Sequence, residues 1–135
     1  VAKSIAMKEF DPASFEEQLQ RINELALWDF EIAGFENGTL LILGSNDFVC
    51  YHYLEVELLG VTFSDLPHQF SHAQFRLGKD SDTQATVWVT AESWAAVGLK
   101  EYEIRASAIE VRIGKVYYYD RENLLPGERI ASPRK

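Results

Sequence analysis

Phe48-Val49-Cys50-Tyr51-His52-Tyr53-Leu54-Glu55-Val56-Glu57-Leu58 alternates almost without error. Phe48, Cys50, His52, Leu54, Val56 and Leu58 share one parity, and Val49, Tyr51, Tyr53, Glu55 and Glu57 share the other. Successive side chains of a strand point to opposite faces, so this stretch predicts a long strand with one face in a core. The same period returns on both sides of it, and the chain reads as a β-rich domain.

Upstream, Trp28-Asp29-Phe30-Glu31-Ile32 alternates with Trp28, Phe30 and Ile32 inward. Asn37-Gly38 then lies between two apolar runs. A type I′ turn needs positive φ at both central residues, which Asn-Gly tolerates, so a hairpin is expected with Phe35 opposite Leu40 and Ile32 opposite Leu43. Gly44-Ser45-Asn46-Asp47 is a second turn cluster. Further upstream lies the one helix the chain specifies. Ser14-Phe15-Glu16-Glu17 reads as a capping box, with Asp11 and Pro12 as further start signals. Phe15, Leu19, Ile22 and Leu25 or Ala26 form one stripe at helical spacing, which should pack on a sheet and end near Leu27.

Downstream, the long strand is expected to continue beyond Gly60 through Val61 and Phe63, until Pro67 breaks the pattern. Ala73, Phe75 and Leu77 mark a shorter strand, and Ala85 to Ala91 another. Glu92 to Lys100 lacks a strand period and reads as a loop or a single helical turn around Trp94. Tyr102, Ile104 and Ala106 then keep one parity and Ile109, Val111 and Ile113 the other, a phase change that a bulge near Ser107 would reconcile. Gly114-Lys115 reads as a hairpin turn, and about 120–135 as a coil-rich tail. With no internal repeat or linker, 1–135 reads as a single domain. The expected fold is mainly β (α+β): an antiparallel curved sheet, sandwich or open barrel of about seven or eight strands, with one N-terminal amphipathic helix packed on it.

Composition narrows the function classes. The formal net charge is −8, from 21 acidic and 13 basic residues. Binding phosphates takes clustered Lys and Arg, and no cluster precedes Pro133-Arg134-Lys135, which disfavours nucleic acid and anionic membrane. A basic or neutral partner fits the charge, though acidity more often serves only solubility. The single cysteine, Cys50, makes neither an internal disulfide nor a thiolate zinc site, and points to the cytoplasm. No signal peptide and no apolar run long enough for a membrane span is evident.

The candidate chemistry is thin. His68 and His72 have the i, i+4 spacing of a helical metal pair, but Pro67 and the alternation after it favour a turn and a strand. Asp80 and Asp82 sit in a polar loop that lacks the other ligands of a calcium loop. Glu55 and Glu57 are two carboxylates on one strand face, explained more simply by a polar face than by glycosidase chemistry. Cys50 sits on the core face, and no nucleophile elbow is present. His52 is the exception, a polar residue on the core parity. It is expected to be buried and bonded to a carbonyl or a tyrosine hydroxyl. If it faced a cavity, it could serve a small-molecule carrier or ligate haem. Trp88, Trp94, Tyr117 and Tyr119 gather in the last third and cannot all face one core, so some of them are candidates for a binding patch.

The expected function is thus a non-catalytic, small, acidic, soluble, cytoplasmic interaction module of inhibitor or immunity type, with no metal and no cofactor. The alternatives are a carrier with a pocket near His52, holding a small molecule or haem, and an enzyme whose residues converge from distant strands.

Overall fold

A computed structural model describes residues 11–78, 83–94 and 96–131. Helix α1 spans Pro12–Glu24, with the Asp11 carboxylate accepting from the Ala13 amide at 3.1 Å. The helix therefore starts earlier than the Ser14 capping box would have it. Asp11 supplies an N-cap oxygen, and Pro12 fits the first turn, where its missing N–H costs nothing. Phe15, Leu19 and Ile22 are buried, so the stripe read from the sequence is the packed face.

The strands are β1 (Asp29–Glu36), β2 (Thr39–Ser45), β3 (Tyr51–Leu59), β4 (Phe63–Ser64), β5 (Gln69–Leu77), β6 (Ala85–Ser93), β7 (Ala96–Ala106), β8 (Ala108–Tyr117) and β9 (Arg129–Ile130). They form one sheet in the order β4-β7-β6-β5-β1-β2-β3-β8-β9, antiparallel throughout except for the parallel β8–β9 pair. The molecule is mainly β, with α1 packed on β5 and reaching β8 as well.

That order dictates the shape. β7 and β8 stand six places apart in the sheet yet are joined by Ser107 alone. Six strand spacings in a flat sheet would be roughly 29 Å, whereas one linking residue spans only about 7–10 Å. The sheet must curl until its flanks meet. Where they do, the Ser107 amide donates to the Leu59 carbonyl at 2.8 Å and the Thr62 amide to the Arg105 carbonyl at 3.0 Å. The helix fills the inside of this curl. Asn23 fastens it, donating to the Phe75 carbonyl at 2.7 Å and accepting from the Phe75 amide at 2.8 Å.

Several sequence expectations shift. Asn37 and Gly38 do turn the β1–β2 hairpin at φ 53° and 75°, with Phe35 opposite Leu40. Ile32 faces Ile42 rather than Leu43, because a bulge between Ile32 and Gly34 adds a residue. Phe48, Val49 and Cys50 precede β3 in a turn in which the Cys50 and Tyr51 amides both donate to the Asp47 carbonyl. Buried Ser45 pins that turn, donating to the Tyr51 carbonyl at 2.8 Å and accepting from the Asp47 amide at 2.9 Å. Glu92 to Lys100 is strand on both sides of Trp94, the tip of the β6–β7 hairpin. The phase change at Ser107 is a crossover between distant strands, not a bulge. The bulge lies instead at Gly114-Lys115, which is part of β8 and not a hairpin turn. The C-terminal coil contributes β9. Among the described residues no helix is long and apolar enough to cross a membrane.

Candidate functional site

The curled sheet has two ends. One carries the 37–38 hairpin and the Ser107 crossover. The other gathers the start of β1, the β2–β3 turn, the start of β5 and the β6–β7 tip. At this second end Trp28, Val49, Trp94, Val97 and Leu99 are 63, 87, 93, 100 and 61 % exposed, and elsewhere among the described residues Leu125 and Phe35, at 66 and 55 %, are the barest large apolar side chains. Scattered exposed apolar side chains are normal, but a concentration on one surface is not.

A cleft of about 590 Å³ opens there. One wall follows from register. Asp29 of β1 pairs with Ser71 of β5, which pairs with Glu92 of β6, and Glu31 pairs with Gln69 in the next row. Directly paired residues share a face, so these polar side chains line up on one surface of the sheet, and Phe30 and Phe70, buried residues of the other parity, border the cleft as well. Trp94 and Phe48 also line the cleft. A second hollow of about 380 Å³, lined by Pro67, His68 and Gln69, adjoins the same indole, so Trp94 stands between two depressions.

His72 organises the rim. It adopts φ 53° where the β5 ladder slips between Ser71 and Gln74. Its amide donates to the Trp28 carbonyl at 2.9 Å, its ring lies 5.5 Å from the Trp28 ring, and its Nδ1 is 2.5 Å from the Glu92 carboxylate. Glu92 is thereby held in place. No described lysine, arginine or histidine forms an ion pair with Asp29 or Glu31.

The residues singled out from the sequence separate. Trp94 joins the cleft. Trp88 is half-buried mid-strand, with the Arg76 guanidinium 5.9 Å from its ring centroid. Tyr117 is buried and donates to Glu128 at 3.0 Å, while Tyr119 is exposed with its ring 5.6 Å from that of Tyr117. His52 is buried, and both its ring nitrogens are engaged, Nδ1 with the Tyr118 hydroxyl and Nε2 with Glu55, each at 2.7 Å. An imidazole held at both nitrogens has no lone pair free for iron, so this site does not fit haem.

Glu55 is the hub beside His52. It accepts from Arg112 Nε at 2.9 Å and from an Arg129 terminal nitrogen at 2.6 Å, and Arg112 reaches Glu57 and Glu110 as well, each at 2.9 Å. Desolvation opposes ionisation of Glu55, but the bonds from His52, Arg112 and Arg129 outweigh it and hold its pKa down at about 2. A glycosidase acid needs the opposite shift. The Cys50 thiol is pushed up, first by its hydrogen bond with Asp47 and then by burial, which suppresses the nucleophilic thiolate. Asp80 and Asp82 lie outside the described residues.

Sequence reading missed Asp29, Glu31, Glu92, Phe48 and Ser71. The alternation at 28–32 did place Asp29 and Glu31 on the polar side, but it put Trp28 inward, whereas that ring, just ahead of β1, is 63 % exposed, and nothing local announced that Ser71, Glu92 and Trp94 would join the acids. No protein-family model matches the chain, and no curated protein or solved structure matches it.

Proposed function

We propose that the protein is a non-catalytic recognition module that docks a partner protein through the Trp94 end of its sheet. The observation that carries this reading is the concentration of exposed Trp28, Val49, Trp94, Val97 and Leu99 at the end of the sheet where the cleft opens, Trp94 lining the cleft itself. Tryptophan is the side chain most enriched among residues that dominate binding energy, because it buries a large area at little entropic cost. The acidic balance of the chain supports a basic partner, as an inhibitor or immunity-type protein would meet. The groups a dispersed active site would draw on support a structural role instead, since His52 and Glu55 are committed to each other and to Tyr118, Arg112 and Arg129.

A photo-reactive phenylalanine analogue at Val97 in source cells tests the proposal, with the same analogue at Phe35 as the control. Phe35 is also exposed but lies toward the opposite end of β1. A discrete protein adduct from position 97 and none from position 35 is the expected result. Equal adducts from both positions, or none from either, would overturn it. A small-molecule adduct alone would favour the carrier reading, for which the cleft is of suitable size.

A further inference from the structure

Two places on this sheet show what the chain does with an aromatic ring outside the core next to a carboxylate. Arg76 lies over Trp88, 5.9 Å from the ring centroid, and pairs with Glu101 at 2.5 Å. Arg105 lies over Phe63 at 5.0 Å and pairs with Glu103 at 2.5 Å. In both, an arginine of the chain itself covers the aromatic ring and neutralises the acid. The planar guanidinium can stack on a ring and present N–H donors at its edge to a carboxylate simultaneously, which an ammonium cannot.

The cleft at the sheet end has the same parts with one exception. Trp94 supplies the ring and Asp29, Glu31 and Glu92 the carboxylates, but among the described residues no arginine completes the set. Glu92 already has His72. Glu31 is half-buried, and its cross-strand neighbours, Leu43 and Gln69, are neutral. Asp29 likewise faces Ser45 and Ser71. Among the described residues no group of three or more acidic, histidine and cysteine side chains is placed to hold a metal ion. Asp29 and Glu31 are alternate residues of one strand, about 7 Å apart at their backbones, and Glu92 lies two strands from Asp29, about 10 Å away. A metal ion draws its oxygens to within about 2–2.6 Å, which asks these carboxylates to converge. A guanidinium is broad and offers five donors, so it suits acids that stand apart.

We propose that the cleft beside Trp94 receives an arginine side chain of the partner protein, its guanidinium stacked on the Trp94 indole and paired with Asp29 and Glu31. This rests on the docking reading above and adds the chemistry that is recognised. Arginine is preferred to lysine, because lysine forgoes the stacked, forked geometry. Salt weakens the contact, because Asp29 and Trp94 are exposed.

The test is an NMR titration of the full chain with the tripeptide acetyl-Gly-Arg-Gly-amide and its lysine and citrulline counterparts. Citrulline keeps the shape of arginine but lacks the charge. Saturable shifts of the Trp94 indole and the 29–31 amides are expected with the arginine peptide. Affinity should be several-fold lower for lysine, at least about tenfold lower for citrulline and about tenfold lower for the arginine peptide on Asp29→Asn/Glu31→Gln, each tenfold step being about 1.4 kcal/mol. Equal binding of citrulline and arginine would overturn the inference, as would shifts spread evenly over Glu57, Glu110 and the cleft. Butylguanidinium binding at least as tightly as the peptide would overturn it too, since it would mark a site for a free small cation. A protein cross-link at Val97 without arginine selectivity would remove this inference and leave the docking reading standing.

Discussion

Glu55 and Glu31 are both strand glutamates outside the core parity, and their surroundings differ in every respect that matters electrostatically. Glu55 sits opposite Arg112 in the β3–β8 register, is contacted by Arg129 from β9, and takes a hydrogen bond from His52. Its side chain is 12 % exposed. Glu31 has neutral residues on both neighbouring strands and no described cation, and with Asp29 it faces a cleft bordered by a bare tryptophan. An ion pair that is mostly enclosed contributes to the fold, because removing one member strands the others. Carboxylates with no ion-pair partner among the described residues, beside an exposed ring, contribute little to the fold. The molecule thus has one acidic cluster that holds its C-terminal segment and another, on the far side of β2, to which the proposal above assigns contact with a partner.

That contrast can be broken by mutation. The yardstick is the core: Leu19→Ala, at a side chain 2 % exposed, should cost about 2–5 kcal/mol in urea unfolding. Glu55→Gln comes next, with a loss of up to about 3 kcal/mol at neutral pH, less whatever solvent screening of the half-exposed arginines removes. Its pH dependence is the sharper measurement. The folded pKa of about 2 lies below the ordinary 4.5, so the contribution is complete above about pH 4.5 and disappears as pH falls toward 2. The wild-type stability curve should therefore drop across that window more steeply than the variant's. Parallel curves would show that Glu55 is not the hub of its cluster.

Gly114→Ala should cost about 1–3 kcal/mol, because a Cβ there would stand 2.5 Å from the Gly127 carbonyl oxygen and push the C-terminal segment off β8. Hydrogen exchange at Arg129 and Ile130 should rise with it, and unchanged exchange would mean that the segment accommodates the methyl group without leaving β8. The cleft should behave oppositely. Asp29→Asn/Glu31→Gln and, separately, Trp94→Ala should each change stability by no more than about 0.5 kcal/mol. A loss above about 1 kcal/mol from either would make that end part of the scaffold and erase the contrast.

Much of the fold was legible locally. The Phe15-Leu19-Ile22 stripe, the Asn37-Gly38 turn and the alternation from Tyr51 to Leu58 each carry their structure within a few residues. The misreadings share a cause. Gly114-Lys115 has turn chemistry but serves as a bulge inside β8, and the two parities around Ser107 belong to strands on opposite flanks of the sheet. Local signals report that the chain changes direction or phase, not which strand it joins next. Of the candidate site, Trp94 was legible only as one of four aromatics that could not all face one core. His52 was legible as a buried side chain bonded to a tyrosine hydroxyl, but which of Trp88, Trp94, Tyr117 and Tyr119 would stay bare was not, because alternation assigns a side chain to a face without saying what covers that face.

The sequence by itself determined that this is a β-rich chain with a packed helix, because the periods of 2 and 3.6 are properties of the backbone that any half-buried strand or helix must display. It also determined the acidic balance. Only the tertiary structure decided that the sheet curls until β7 and β8 share one residue, that Arg112 and Arg129 neutralise Glu55, and that Asp29, Ser71 and Glu92 form a row ending beside Trp94. Those are relations between segments tens of residues apart. They are set by strand order and register, which depend on the summed packing of the whole sheet and leave no mark in any short stretch of chain.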